Sequence, residues 1–193
     1  MLRKSQIFAA TLLALGLLGS LPAQANLVTN GSFETGDFSG WGNGTNPAYD
    51  GVDGLAPQSG SLAAYFGNPG GISTISQSLS TVAGTVYSIS FWLQNEADVT
   101  GNATPNSFEF NWDGVTQASL TNAPGFGYTE YIFQLVASGA TTNLAFSFSQ
   151  TPAFWDFDSV VVEAAAVPEP GSLPLLAIGG ALAFATLRTR KSS

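Results

Sequence analysis

The stretch Tyr87-Ser88-Ile89-Ser90-Phe91-Trp92-Leu93-Gln94 decides the fold. Large apolar side chains stand at 87, 89, 91 and 93, with Ser88, Ser90, Trp92 and Gln94 between them. Residues two apart share one face of an extended strand, so this segment reads as a strand with an apolar face and a polar one. The same stripe recurs as Phe108, Phe110 and Trp112, as Tyr131, Phe133 and Leu135, and as Leu144, Phe146 and Phe148. Further strands are predicted at 62–66, 72–79, 115–120 and 157–162, each bounded by Gly- or Pro-bearing turns. No long helical pattern interrupts them. Eight or more half-buried strands need two packed sheets or a barrel, and the expectation is a mainly β, two-sheet antiparallel sandwich of the jelly-roll type.

Outward from this core, the two ends of the chain carry routing information. All five basic residues lie there: Arg3 and Lys4 precede one apolar run, and Arg188, Arg190 and Lys191 follow another. A charged start, an apolar run over 7–18 and the small-x-small site Ala23-Gln24-Ala25 predict a secretory signal peptide at 1–25, cut by signal peptidase after Ala25. At the other end, the uncharged stretch 171–187 would make a helix of roughly 25 Å, slightly short of a bilayer's hydrocarbon core, with its basic flank on the cytoplasmic side.

The body between, residues 26–166, has the length of one domain and contains no Lys, Arg, His or Cys. Twelve of the thirteen acidic residues fall in it, giving a formal charge of −12. Such a surface repels phosphate backbones, which excludes a nucleic-acid partner. It also means that no carboxylate can find a salt bridge within the body. Any that is buried must accept backbone N–H groups, stay protonated or bind a metal. Without His, Cys or Lys there is no nucleophile–base dyad, ordinary zinc site or Schiff base, so the chain is expected not to be an enzyme. A glycoside hydrolase working with two carboxylates is the remote alternative, with Glu96, Asp98, Glu109 and Asp113 as the available groups.

The tail Val167-Pro168-Glu169-Pro170, followed by an apolar helix and a basic end, resembles the PEP-CTERM sorting tail of Gram-negative bacteria. The resemblance covers residues 167–193. It implies export across the inner membrane, transient anchoring, and processing by the membrane protease exosortase near Pro168, Glu169 and Pro170, followed by a cell-surface or extracellular location such as a biofilm matrix.

The body carries a second resemblance. Asn30-Gly31-Ser32-Phe33-Glu34 leading to Gly40-Trp41, and the ending Asp156-Phe157-Asp158-Ser159-Val160-Val161-Val162, resemble the first and last elements of jelly-roll carbohydrate-binding modules and related bacterial surface domains. Ser159 stands where those modules usually have Asp or Asn. The resemblance implies a structural calcium where the two ends meet, with Glu34 and Asp158 as its carboxylate ligands. The composition is compatible, because Asp158 sits in an apolar strand of a body without a cation.

Sugar recognition needs aromatic rings to stack on pyranose faces and amides or carboxylates for the hydroxyls. Trp92 stands on the polar face of its strand beside Gln94, and Tyr65 and Trp155 complete the candidate set. Burial of Trp92 under a loop is the alternative. Trp41, by its place in the resemblance, and Trp112, by its stripe, are read as core. The functional expectation is a non-enzymatic exported surface or matrix protein associated with extracellular polysaccharide, the alternative being a carbohydrate-binding module with a defined glycan.

Overall fold

The computed structural model describes residues 25–166; the predicted leader up to Gln24, the sorting tripeptide and the tail helix lie outside the described residues. Ten strands form the body: β1 Gly42–Gly44, β2 Asp50–Asp53, β3 Ala63–Phe66, β4 Ser73–Ser80, β5 Val86–Asn95, β6 Asn106–Trp112, β7 Val115–Thr121, β8 Phe126–Val136, β9 Thr141–Gln150 and β10 Trp155–Ala164. Among the described residues there is no helix. The strands make two five-stranded antiparallel sheets, ordered β1-β4-β9-β6-β7 and β2-β3-β10-β5-β8. This is the sandwich that the period-two stripes predict.

The stripes meet between the sheets. Tyr87, Ile89, Phe91 and Leu93 point inward from β5, and Phe108, Phe110 and Trp112 face them from β6. Phe91 sits at the centre, 5.4 Å from the Phe110 ring, 5.1 Å from Phe146 and 5.5 Å from Phe157. Phe66 and Phe148 stack across the two sheets at 3.9 Å. Fully burying an aromatic ring of this kind contributes about 1.5–3 kcal/mol, and the edge-to-face pairs add about 0.5–1.5 kcal/mol each.

Trp41 and Trp112 are core residues, as expected. Both are almost fully buried, and their indole N–H groups donate to the carbonyls of Asn30 and Val136, both at 3.1 Å. The N-terminal segment is laid along β10: Leu27 N–H donates to Val162 O, Val160 N–H donates to Gly31 O, and Asn26 bridges Val160 and Val162 with its side-chain amide. A Cβ on Gly31 would lie 2.1 Å from Val160 O, so only glycine permits this approach.

Candidate functional site

The opening segment and β10 meet at a clasp. Between β2 and β3 the chain makes a long loop over the outer face of the second sheet. Glu34 Oε1 accepts the N–H groups of Ser61 and Leu62 at 2.8 and 2.9 Å, and Asp158 Oδ2 accepts those of Gln58 and Ser59 at 3.1 and 2.9 Å. Tyr128 fixes the same loop from β8 by donating to Ala56 O at 2.7 Å. Backbone N–H donors hold the Glu34 carboxyl below its ordinary value. Asp158 is fully buried, and burial pushes its carboxyl up against the lowering effect of three N–H donors, the third being Ser159 at 2.6 Å. Asp50 is served in the same way without a cation, accepting from Asn46 N–H, Gly67 N–H and the Ser73 hydroxyl.

Glu34 and Asp158, predicted as calcium ligands, are thus brought to one loop. Calcium takes six to eight oxygens. Among the described residues no three acidic, His or Cys side chains gather as a metal group, so an ion beside this pair would need carbonyl or water oxygens for most of its ligands. Neither loop N–H is directed at Glu34 Oε2, which leaves that oxygen available to such an ion.

Beside the clasp, the outer face of the second sheet holds a cleft of about 270 Å³ lined by Tyr65, Phe154, Leu55, Asp53, Glu96 and Asp156. The register explains the gathering. Asp156 pairs with Tyr65 on one side and with Gln94 on the other, so the three side chains share a row across β3, β10 and β5. The Tyr65 and Phe154 rings meet edge to face at 5.5 Å. Gln94 Nε2 donates to Asp156 Oδ2 at 2.9 Å. Burial, then the neighbouring Glu96 carboxylate, pushes the Asp156 carboxyl up to about 7. Glu96 is also raised, chiefly by burial. A wall of two rings facing a set of oxygen acceptors can stack a small polar ring and hydrogen-bond its edge.

Three of the four predicted ligand-binding residues stand on this face. Tyr65 and Gln94 belong to the cleft row. Trp92, half-buried, lies one row along between Asp158 of β10 and Glu130 of β8. Trp155 does not belong with them: it is fully buried on the core face, its indole N–H donates to Ser149 O at 3.0 Å, and its ring packs on Phe108 and Phe126. The residues that flank it, Phe154 and Asp156, are the ones the cleft uses. Period two counted back from Phe157 places Trp155 inward and Asp156 outward, and that signal was available in the sequence.

The four carboxylates open to a hydrolase reading are scattered. Glu96 lines the cleft, Asp98 turns its own loop through Thr100 and Asn102, Glu109 bonds Asn111 and Thr116 on the other sheet, and Asp113 sits in the β6–β7 turn bonded to Ser138.

Comparison with known proteins gives two results. Residues 166–191 match the PEP-CTERM protein-sorting motif. The body superposes on a family 61 carbohydrate-binding module solved in complex with β-1,4-galactotriose, with TM-score 0.56 and 19% identity over 72% of this chain and 99% of that one. It also superposes on the family 22 xylan-binding domain formerly called x6b, with TM-score 0.52 and 13% identity over 74% and 97%. A third likeness, to the enzymatically active domain of tailspike protein 4 of bacteriophage CBA120, has TM-score 0.52 and 18% identity, covering 72% of this chain but 21% of that one. No curated protein matches the sequence. The sandwich has the fold of carbohydrate-binding modules. Its sorting motif is that of an exported protein processed at the membrane by exosortase.

Proposed function

We propose that this chain is a non-enzymatic exported protein that binds extracellular polysaccharide through the cleft at Tyr65, Phe154, Gln94, Glu96 and Asp156. The single observation that carries this reading is the cleft itself: two rings meeting edge to face and a row of oxygen acceptors on the outer face of one sheet. Trp92 extends the platform along the next row. Signal peptidase and exosortase are its partners during export, and the final location is the cell surface or the matrix around it. Calcium at Glu34 and Asp158 belongs to the same proposal as a brace for the loop that forms one wall of the cleft.

A non-catalytic role is supported by the likeness of the body to carbohydrate-binding modules over nearly their whole length. The test is a glycan array probed with the wild-type protein and with Tyr65→Ala and Phe154→Ala. Binding to a defined set of glycans, lost in both variants, is expected. Binding that survives both substitutions would place the site elsewhere, and hydrolysis of a bound glycan would contradict the non-enzymatic reading.

A further inference from the structure

The cleft has a peculiarity of charge. Asp53 of β2, Glu96 at the end of β5 and Asp156 of β10 line it, with Asp158 one row along and Glu130 beyond it on β8. Tyr128 commits its hydroxyl proton to Ala56 O, and Gln94 supplies a single N–H to Asp156. No Lys, Arg or His exists in residues 26–166 to offset these charges. Among the described residues no three acidic side chains gather as a metal group. The two rings beside these carboxylates suit an organic cation.

Resting on the reading of the cleft as the glycan site, we propose that it selects amine-bearing sugars, with the hexosamine ring against Tyr65 and Phe154 and its ammonium between Glu96 and Asp156. An ammonium brings three donors and a positive charge to groups that only accept. A desolvated carboxylate with one amide N–H for a partner remains costly, and an ammonium beside it offsets that cost. The rings add the attraction of an aromatic face for a cation. An N-acetylated sugar offers one amide N–H and no charge, and a uronic acid adds a like charge to the cluster. The volume, about 270 Å³, lies just below the usual range of ligand pockets and suits one sugar ring at a time.

The experiment is calorimetric titration of the full-length protein, held in nonionic detergent, with a β-1,4-linked glucosamine tetramer, its N-acetylated counterpart and an oligogalacturonate. The glucosamine tetramer should bind at least about tenfold tighter than the acetylated one. That ratio should collapse to within about twofold in Glu96→Gln and Asp156→Asn, each checked for folding by its melting curve. Tyr65→Ala should weaken both neutral and amine-bearing ligands. Equal or tighter binding of the acetylated or acidic oligomer, weakened by Tyr65→Ala, would overturn the amine preference and leave the cleft as a glycan site. Glucosamine binding indifferent to Tyr65→Ala would reduce it to attraction by a body of charge −12 and overturn both readings. Failure of all three oligomers to bind would also overturn the preference.

Discussion

Replacing Asp156 by Asn should make the protein more stable at pH 8, not less. Asp156 is 5% exposed, and its carboxyl is pushed from 3.8 up to about 7, first by burial and then by Glu96. A carboxyl whose value is raised on folding binds protons more readily in the folded state. Its favourable contribution is therefore complete below its ordinary value and is lost as pH rises through about 7. The displacement corresponds to about 4 kcal/mol at most, and sharing of the proton with Glu96 lowers what a single substitution recovers. Asn removes the charge and keeps an oxygen to accept the Gln94 amide. Equilibrium urea unfolding at steps from about pH 4 to 8 is the assay. Wild-type stability should decline across this range, and the decline should flatten in Asp156→Asn, leaving a shallower slope from Glu96 and Asp158, which are raised as well. Glu34, Asp37, Asp98 and Glu109 are shifted the other way by their hydrogen bonds, so the stability they confer is lost only at more acid pH, and that limb should persist in the variant. A variant less stable than wild type at pH 8, or a parallel pH profile, would refute the reasoning.

Gly60 has φ +64, and a Cβ there would stand 2.3 Å from Glu34 Oε1, so Gly60→Ala should cost about 1–3 kcal/mol, measured by urea unfolding, and cost less in a Glu34→Ala background. The proposed calcium should raise the melting temperature by several degrees over chelator, about 2.7 kcal/mol at a hundredfold excess over Kd, and Asp158→Ala should abolish the difference; identical curves for metal-free protein would leave the backbone N–H groups as the clasp's only partners. Phe91→Ala, at the centre of the core, should destabilise by about 3–5 kcal/mol without altering the pH profile. Deleting 168–193 should send the protein into soluble export, seen by fractionation, and an unchanged membrane-bound fraction would contradict the proposed role of the tail.

Much of this architecture was legible because strand periodicity is local and the stripes are long. Phe108 to Trp112 and Leu144 to Phe148 could face the core in only one register, and they do. The short strands β1 and β2 were not legible: Gly42–Gly44 and Asp50–Asp53 carry almost no apolar pattern and become strands only by pairing with β4 and β3. The site was half legible. Gln94 reads as a polar-face residue and Tyr65 as a candidate of unassigned face, but their meeting through Asp156 depends on two strand registers that no local signal fixes. Trp155 misled because an aromatic in a polar neighbourhood looks exposed, while its strand parity sends it inward. The clasp shows the same limit. Charge composition required buried carboxylates to find N–H donors, a proton or a metal, yet the donors came from a loop about a hundred residues distant from Asp158.

The most direct test of the central claim is backbone amide NMR of the isotopically labelled protein during titration with a binding oligosaccharide. Shifts concentrated at Tyr65, Gln94, Glu96, Phe154 and Asp156, weaker at Trp92 and absent from the outer face of β4, β9 and β6, are the predicted result. Perturbations centred on that other sheet, or a cleft silent while the oligosaccharide binds, would contradict it.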